Sequence, residues 1–446
     1  MDTGLQFPKG FTFGCATAAY QIEGAVAEDG RTESIWDRFC HTPGHILGGE
    51  TGDKACDHYH RYAEDVDLMA NIGLNSYRFS ISWPRVIPHG RGPINPKGMD
   101  YYSRLVDRLL ENGIDPYVTL FHWDLPQDLQ DKGGWANRDM VYYFRDYAGE
   151  MGNRLGDRVK YWMTHNEPAV FTACGHLEGV HAPGIKDLRT ALQVAHHLLL
   201  SHGYAVYALR SNRTPSTQVG IALSMSPVSP ASDRMEDIEA AKRMEGFNLR
   251  WFCDPLFLGE YPREMVQGYG FNSPLIEEDD LKVINAPVDF VGINYYFRNI
   301  IQFDSTVPIW QAKNVVPQEA EFTDMGWEIY PQGLYGLLNR VQELYHLKSI
   351  YITENGAAFP DKLEKDGSVH DKDRIKYLES HFEAVNQAIK NGIPLKGYFI
   401  WSLMDNFEWA FGTSKRFGII YTDYPTQKRY LKDSAYWYQE LIKNNQ

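Results

Sequence analysis

Tyr62-Ala63-Glu64-Asp65-Val66-Asp67-Leu68-Met69-Ala70-Asn71-Ile72-Gly73-Leu74-Asn75-Ser76-Tyr77-Arg78-Phe79-Ser80-Ile81 contains the fold in miniature. Tyr62, Val66, Met69 and Ile72 recur at intervals of three and four, which places them on one face of a helix. Gly73 stands where a helix end favours a left-handed residue, and residues 74–81 then read as a buried strand. A helix hands over to a strand across a single glycine.

The same grammar returns along the chain. Tyr102, Leu105, Val106, Leu109 and Leu110 form a second stripe, Gly113 ends it, and residues 114–121 are the next strand. Further strands are expected over residues 11–16, 159–164, 219–224, 288–294, 349–353 and 395–402. Later helices carry Leu334, Leu337, Leu338, Val341 and Leu344 on one face, and Ile375, Leu378, Phe382, Val385 and Ile389 on another. Eight strands alternating with helices predict an α/β protein with one closed (β/α)8 TIM barrel, and no linker or repeat divides residues 1–446 into more than a single domain. G-x-G-x-x-G and G-x-x-x-x-G-K-[ST] are both missing, which disfavours dinucleotide and NTP chemistry.

Lys and Arg number 44 against 58 Asp and Glu, a net charge of −14 that repels phosphate backbones and argues against a nucleic-acid partner. Aromatic residues make up 14% of the chain, a supply of flat surfaces suited to sugar rings as well as to packing. The five cysteines are odd in number and scattered, so no disulfide framework is expected. Neither a secretory leader in Met1-Asp2-Thr3-Gly4-Leu5-Gln6-Phe7-Pro8 nor an apolar run of roughly 18 residues is visible, so the expectation is a cytoplasmic protein with no membrane partner. Nothing indicates the oligomeric state.

In such a barrel the reactive groups sit at the C-terminal ends of the strands, the positions where this sequence turns polar. Strand 4 runs into Thr164-His165-Asn166-Glu167-Pro168 and strand 7 into Thr353-Glu354-Asn355-Gly356. Glu167 and Glu354 therefore face one rim from well-separated strands. Two carboxyl groups flanking one bond suffice to cleave a glycoside: one protonates the leaving oxygen while the other attacks or directs water. Either Glu taken alone could instead cap a helix or pair with an arginine. The surrounding motifs decide for catalysis.

Those motifs are Phe13-Gly14-Cys15-Ala16-Thr17-Ala18-Ala19-Tyr20-Gln21-Ile22-Glu23-Gly24, Tyr77-Arg78-Phe79-Ser80, Phe121-His122-Trp123-Asp124, Asn166-Glu167-Pro168, Asn294-Tyr295-Tyr296, Thr353-Glu354-Asn355-Gly356 and Trp401-Ser402-Leu403-Met404-Asp405-Asn406-Phe407-Glu408-Trp409. Together they resemble glycoside hydrolase family 1, the β-glucosidases and related retaining enzymes. The resemblance implies a (β/α)8 barrel, net retention and no cofactor or metal, with Glu354 as nucleophile and Glu167 as acid/base. It implies further that Arg78 and Tyr296 tune the nucleophile, and that Gln21, His122, Asn166 and Glu408 bind the glycone with Trp401 and Trp409 as floor. Trp123 and Asn294 are also expected at the substrate, Asn294 next to Tyr296 as a residue that orients this network, Trp327 as an aglycone platform, and Val170, Cys174, His181 and Phe417 at the entrance. A non-proline cis peptide is implied at Trp401-Ser402.

Glu408 is incompatible with a 6-phosphorylated sugar, because its charge would repel the phosphate. Where many family members carry Leu-Asn after strand 5, this chain reads Leu223-Ser224, which places the usual polar contact near the aglycone in doubt. The expected activity is that of an exo-β-glucosidase on cellobiose and on aryl or alkyl β-glucosides. A broad-specificity β-galactosidase, β-fucosidase or transglycosylase on the same residues, and a sugar-binding barrel without chemistry, are the alternatives. Cys56-x-His58-x-His60 has metal-like spacing but lacks a fourth ligand, His196, His197 and His202 fall in a long helix, and Asn212-Arg213-Thr214 reads as a loop.

Overall fold

The computed structural model describes residues 4–211 and 216–445. Eight parallel strands form a closed barrel: β1 Thr12–Ala16, β2 Ser76–Ser80, β3 Asp115–Phe121, β4 Tyr161–Asn166, β5 Gln218–Ser224, β6 Phe290–Asn294, β7 Ile350–Asn355 and β8 Leu395–Trp401. Each pairs with its chain neighbours, and β8 closes on β1 with Ala16 opposite Trp401. Eight helices alternate with them: α1 His58–Ile72, α2 Pro96–Glu111, α3 Met140–Leu155, α4 Leu188–Ser211, α5 Met235–Glu245, α6 Pro331–Tyr345, α7 Lys372–Lys390 and α8 Asp433–Lys443. This is the (β/α)8 architecture. Strands covered on both sides must be apolar on both faces, which is why they read as continuous runs.

The local signals act as the sequence implies. Gly73 ends α1 at φ 87° and its N–H returns to the carbonyls of Met69 and Ala70. On α2, Tyr102, Leu105, Val106 and Leu109 are buried, but Leu110 is 37% exposed and leaves the stripe, while Tyr101 takes its place in the core. The larger differences are at β4 and β7, expected to stop at Thr164 and Thr353. They continue to Asn166 and Asn355 because neighbouring strands pair with these polar residues: Asn166 lies opposite Ala222 and Glu354 opposite Asn294.

The N-terminal end of the barrel is plugged by aromatic rings. Tyr117 and Tyr161 stack at 4.1 Å between ring centres, and Phe399 meets Tyr117 at 4.9 Å. Gly14 makes room for this layer, since a Cβ there would lie 2.4 Å from Cδ1 of Phe399. Access is left at the opposite end, which long connections enclose. A three-stranded sheet, Val228–Pro230, Asn299–Phe303 and Ala312–Asn314, lies beyond β5 and β6, and a hairpin, Ile420–Asp423 with Lys428–Leu431, lies beyond β8. The β8 connection is anchored by buried charges: Lys432 bridges Asp361 and Asp405, and Arg374 bridges Asp361 and Asp371. Among the described residues no helix is long and apolar enough to cross a membrane.

Candidate active site

Glu354 comes from the end of β7, where the register against β6 shifts by one residue between Ile352 and Glu354. Such a bulge re-aims a side chain relative to its strand. Arg78 on β2 donates from Nη1 to Glu354 Oε1 at 2.7 Å, and the Tyr296 hydroxyl donates to Oε2 at 2.7 Å. Arg78 is itself held by the Thr353 carbonyl, Thr119 Oγ1 and Asn166 Oδ1 at 3.0, 3.2 and 2.6 Å.

Glu167 follows β4, which also shifts register, between Met163 and Asn166 against β5. Its backbone is left-handed at φ 48°, and its N–H is fixed by the Ala222 carbonyl at 2.8 Å. Asn294 Nδ2 donates to Glu167 Oε1 at 3.0 Å. Among the described residues no arginine or tyrosine binds this carboxyl directly.

The two environments separate the groups electrostatically. Burial pushes Glu167 up to about 8, the charge of Glu354 adds to the rise, and Asn294, Arg78 and Ser224 oppose it in part. Burial also raises Glu354, but Arg78 and the Tyr296 hydrogen bond oppose it at close range. Glu354 therefore ionises first and Glu167 keeps its proton. An acid and an ionised carboxylate facing one cavity can protonate a leaving oxygen and attack the carbon it leaves.

Beside them is a set of unspent polar atoms. Asn166 Oδ1 accepts from Arg78 and from Asn294, so its Nδ2 must face His122, whose Nε2 lies 3.0 Å away. His122 is held neutral, well below its ordinary value, by burial and by Arg78. Its Nε2 thus accepts and its Nδ1 carries the proton, yet Nδ1 is buried and has no partner. Gln21 donates from Nε2 to Asn406 Oδ1 at 3.1 Å and to the Phe407 carbonyl at 2.9 Å, leaving its buried Oε1 unpartnered. A spare donor and a spare acceptor in one buried site match hydroxyl groups, which need both. Glu408, raised to about 8 by burial and by Glu354, is met by the Trp401 and Gln21 side chains.

Glu167, Glu354 and Glu408 face a cavity of about 380 Å³ together with His122, Trp123, Tyr296, Trp401 and Trp409. Trp123 and Trp409 lie 4.8 Å apart, and the Trp123 indole N–H donates to the Asn166 carbonyl at 2.9 Å. Trp327 stands farther out against Tyr296 and Phe417, at 5.2 and 6.0 Å. Val170, Cys174 and His181 share the wall. The peptide Trp401–Ser402 is cis.

Asn294 is committed to its neighbours. Both its N–H groups are spent, on Asn166 and Glu167, and its Oδ1 accepts from Thr353 Oγ1 at 2.6 Å, so it positions other side chains from behind the wall. Arg78 and Asn166 are buried in the same network, and Gln21 is buried beside Glu408, with its Nε2 3.4 Å from Oε2. Thr119, Phe297, Met325 and Phe411 are site neighbours that sequence reasoning did not single out, while Thr353 stood in the quoted motif with Glu354 and Met325 lies two residues before Trp327.

The metal-like triplet disperses. Cys56 Sγ lies 3.1 Å from the Asp405 carbonyl, His58 pairs with Asp65, and His60 faces Asp57 and Glu28. His196 binds Tyr261 and Asp280, His197 the Trp135 carbonyl and His202 Thr164, so all three tie α4 to its surroundings. Asn212-Arg213-Thr214 lies outside the described residues.

A barrel with a matched pair of carboxyl groups at its C-terminal mouth defines a glycosidase architecture, and the model of glycosyl hydrolase family 1 matches residues 4–446. The chain belongs to that family. It is 52% identical over 444 residues to β-glucosidase A of Acetivibrio thermocellus, covering 99% of each chain. It is 50% identical over 441 residues to a 1,4-β-D-glucan glucohydrolase of Thermotoga neapolitana, again covering 99% of each. A solved structure of β-glucosidase from Thermotoga maritima in complex with glucoimidazole superposes with TM-score 0.96 at 48% identity, over 99% of both chains.

Proposed function

We propose that the chain is a retaining, exo-acting β-glucosidase that releases glucose from cellobiose and from aryl and alkyl β-glucosides. The observation that carries this reading is the unequal support of the two carboxyls: Glu354 accepts from Arg78 and Tyr296 at 2.7 Å each, whereas Glu167 accepts from the neutral Asn294 amide at 3.0 Å. Glu354 attacks the anomeric carbon as Glu167 gives its proton to the departing oxygen. Once Glu354 is esterified its charge is gone, the proton affinity of Glu167 falls, and Glu167 takes a proton from the water that opens the ester. His122, Gln21 and Glu408 hold the glucosyl hydroxyls, and Asn166 has one N–H to spare for the 2-hydroxyl.

Several observations support the finer points of this reading. The names of the relatives favour glucosides, and glucoimidazole in the Thermotoga maritima structure is a sugar-shaped ligand. Five free thiols, four of them buried, suit a reducing compartment such as the cytoplasm. We place the substrates among small β-glucosides and short β-linked oligosaccharides, handled by one barrel domain over residues 1–446.

A panel of α- and β-nitrophenyl glycosides of glucose, galactose, fucose, mannose and xylose tests the proposal. The β-glucoside should have the highest kcat/KM, and the first sugar released should be the β-anomer by nuclear magnetic resonance. Release of the α-anomer, or turnover of α-glycosides alone, would overturn it.

A further inference from the structure

Asn355, the residue after Glu354, is fully buried and does not line the catalytic cavity. Its Nδ2 donates to the Tyr295 carbonyl at 2.6 Å and to the Tyr377 hydroxyl at 2.9 Å, and its Oδ1 accepts from the Tyr398 hydroxyl. A carbonyl only accepts, so the atom facing Tyr295 is the amide nitrogen and the orientation of the group is fixed. Tyr377 comes from α7 and Tyr398 from β8, which locks the amide from two sides.

These bonds close a ring around Glu354. The Tyr295 N–H donates to the Glu354 carbonyl at 2.9 Å, the Tyr295 carbonyl accepts from the Asn355 side chain, and the next residue, Tyr296, puts its hydroxyl 2.7 Å from Glu354 Oε2. Among the described residues the backbone of Tyr296 and Phe297 makes no other hydrogen bond, so the direction in which the chain leaves β6 is set at Tyr295. The Tyr295 hydroxyl on the Tyr330 carbonyl and Arg298 on Glu328 tie the same segment to the residues before α6, not to β7.

We propose that Asn355, locked by Tyr377 and Tyr398, is a positioning residue that holds the Tyr296 hydroxyl on the attacking carboxylate. The inference deepens the β-glucosidase reading and rests on it, since it takes Glu354 as the nucleophile. Glu354 is faced by Arg78 from β2, Asn294 from β6, Glu167 after β4 and Glu408 after β8, besides Tyr296. Of these, only Tyr296 lies on the segment beyond β6 that Asn355 secures. The Tyr296 hydrogen bond favours the ionised form of Glu354, so loosening it raises the proton affinity of the nucleophile.

The test is the pH profile of kcat/KM for p-nitrophenyl β-D-glucoside, whose acidic limb reports the ionisation of Glu354. Asn355→Ala should move that limb to higher pH by roughly one unit, the tenfold change that loss of one hydrogen bond to a charged group brings. On a Tyr296→Phe background the same substitution should move it no further, because the hydroxyl it positions is already gone. Tyr398→Phe, which frees Oδ1 and lets the amide turn, should shift the limb in the same direction by roughly half a unit, and it decides the matter if Asn355→Ala does not fold. An unshifted limb in the folded variant, or an equal further shift on the Tyr296→Phe background, overturns the proposal. If the wild type hydrolyses no nitrophenyl β-glucoside, the underlying β-glucosidase reading fails, an outcome distinct from an unshifted limb in an active enzyme.

Discussion

Asn294 Nδ2 lies 3.0 Å from Glu167 Oε1 and 3.0 Å from Asn166 Oδ1, the same oxygen to which Arg78 donates while it grips Glu354. The two carboxyl groups are therefore joined behind the cavity by a continuous chain, Glu354 to Arg78 to Asn166 to Asn294 to Glu167. Each link is buried, so each bond is strong and the loss of one leaves its partner unsatisfied.

Asn294→Ala should move the basic limb of the kcat/KM profile to higher pH. The amide stabilises the charged form of Glu167, so its removal lets the carboxyl hold its proton longer. A fall in kcat of about tenfold with little change in KM is expected, as befits a positioning residue. An unshifted limb would show that the bond does not tune the acid.

Glu354→Ala should lower hydrolysis by several orders of magnitude with the fold intact, because the covalent step has lost its nucleophile. Added azide should restore turnover and give the α-glucosyl azide. A β-azide from this variant would place the nucleophile elsewhere.

Glu167→Ala should barely slow the first step for 2,4-dinitrophenyl β-glucoside, whose phenolate leaves unprotonated, but slow it about 10² to 10⁴-fold for cellobiose. The glucosyl enzyme should then accumulate as a burst, and azide should speed turnover to the β-azide. Equal losses on both substrates would make Glu167 structural.

Glu408 links the site to stability. Its folded pKa of about 8 lies above the usual carboxyl value, so the folded state binds its proton more tightly than the unfolded chain does. The resulting stability is complete below roughly pH 4 and is lost as pH rises to about 8. Glu408→Gln removes the buried charge and should raise Tm by roughly 2 °C at pH 9 relative to wild type, but not at pH 4. Calorimetry at both pH values decides.

Gly14→Ala should cost about 1 to 3 kcal/mol by denaturant unfolding, since a methyl group at that position cannot coexist with the Phe399 ring where it stands. No loss would mean that the aromatic layer is free to shift.

The repeated passage from apolar stripe through glycine to apolar run, as at Ile72-Gly73-Leu74, determines the barrel by itself. Once eight strands must be covered on both faces, closure at this length follows from local pattern, and the polar residues at strand ends mark the open rim. Glu167 and Glu354 were legible there, as were the aromatic platforms, because a carboxylate or indole after an apolar strand stands out against its neighbours. The inner network was not. Sequence cannot say that β4 and β7 each slip register, or that Asn294 spends both N–H groups on other side chains. These depend on which atoms meet across the barrel from residues more than fifty positions apart, as Arg78 and Glu354 do, and hydrogen-bond satisfaction in a buried site is decided only when all partners are in place.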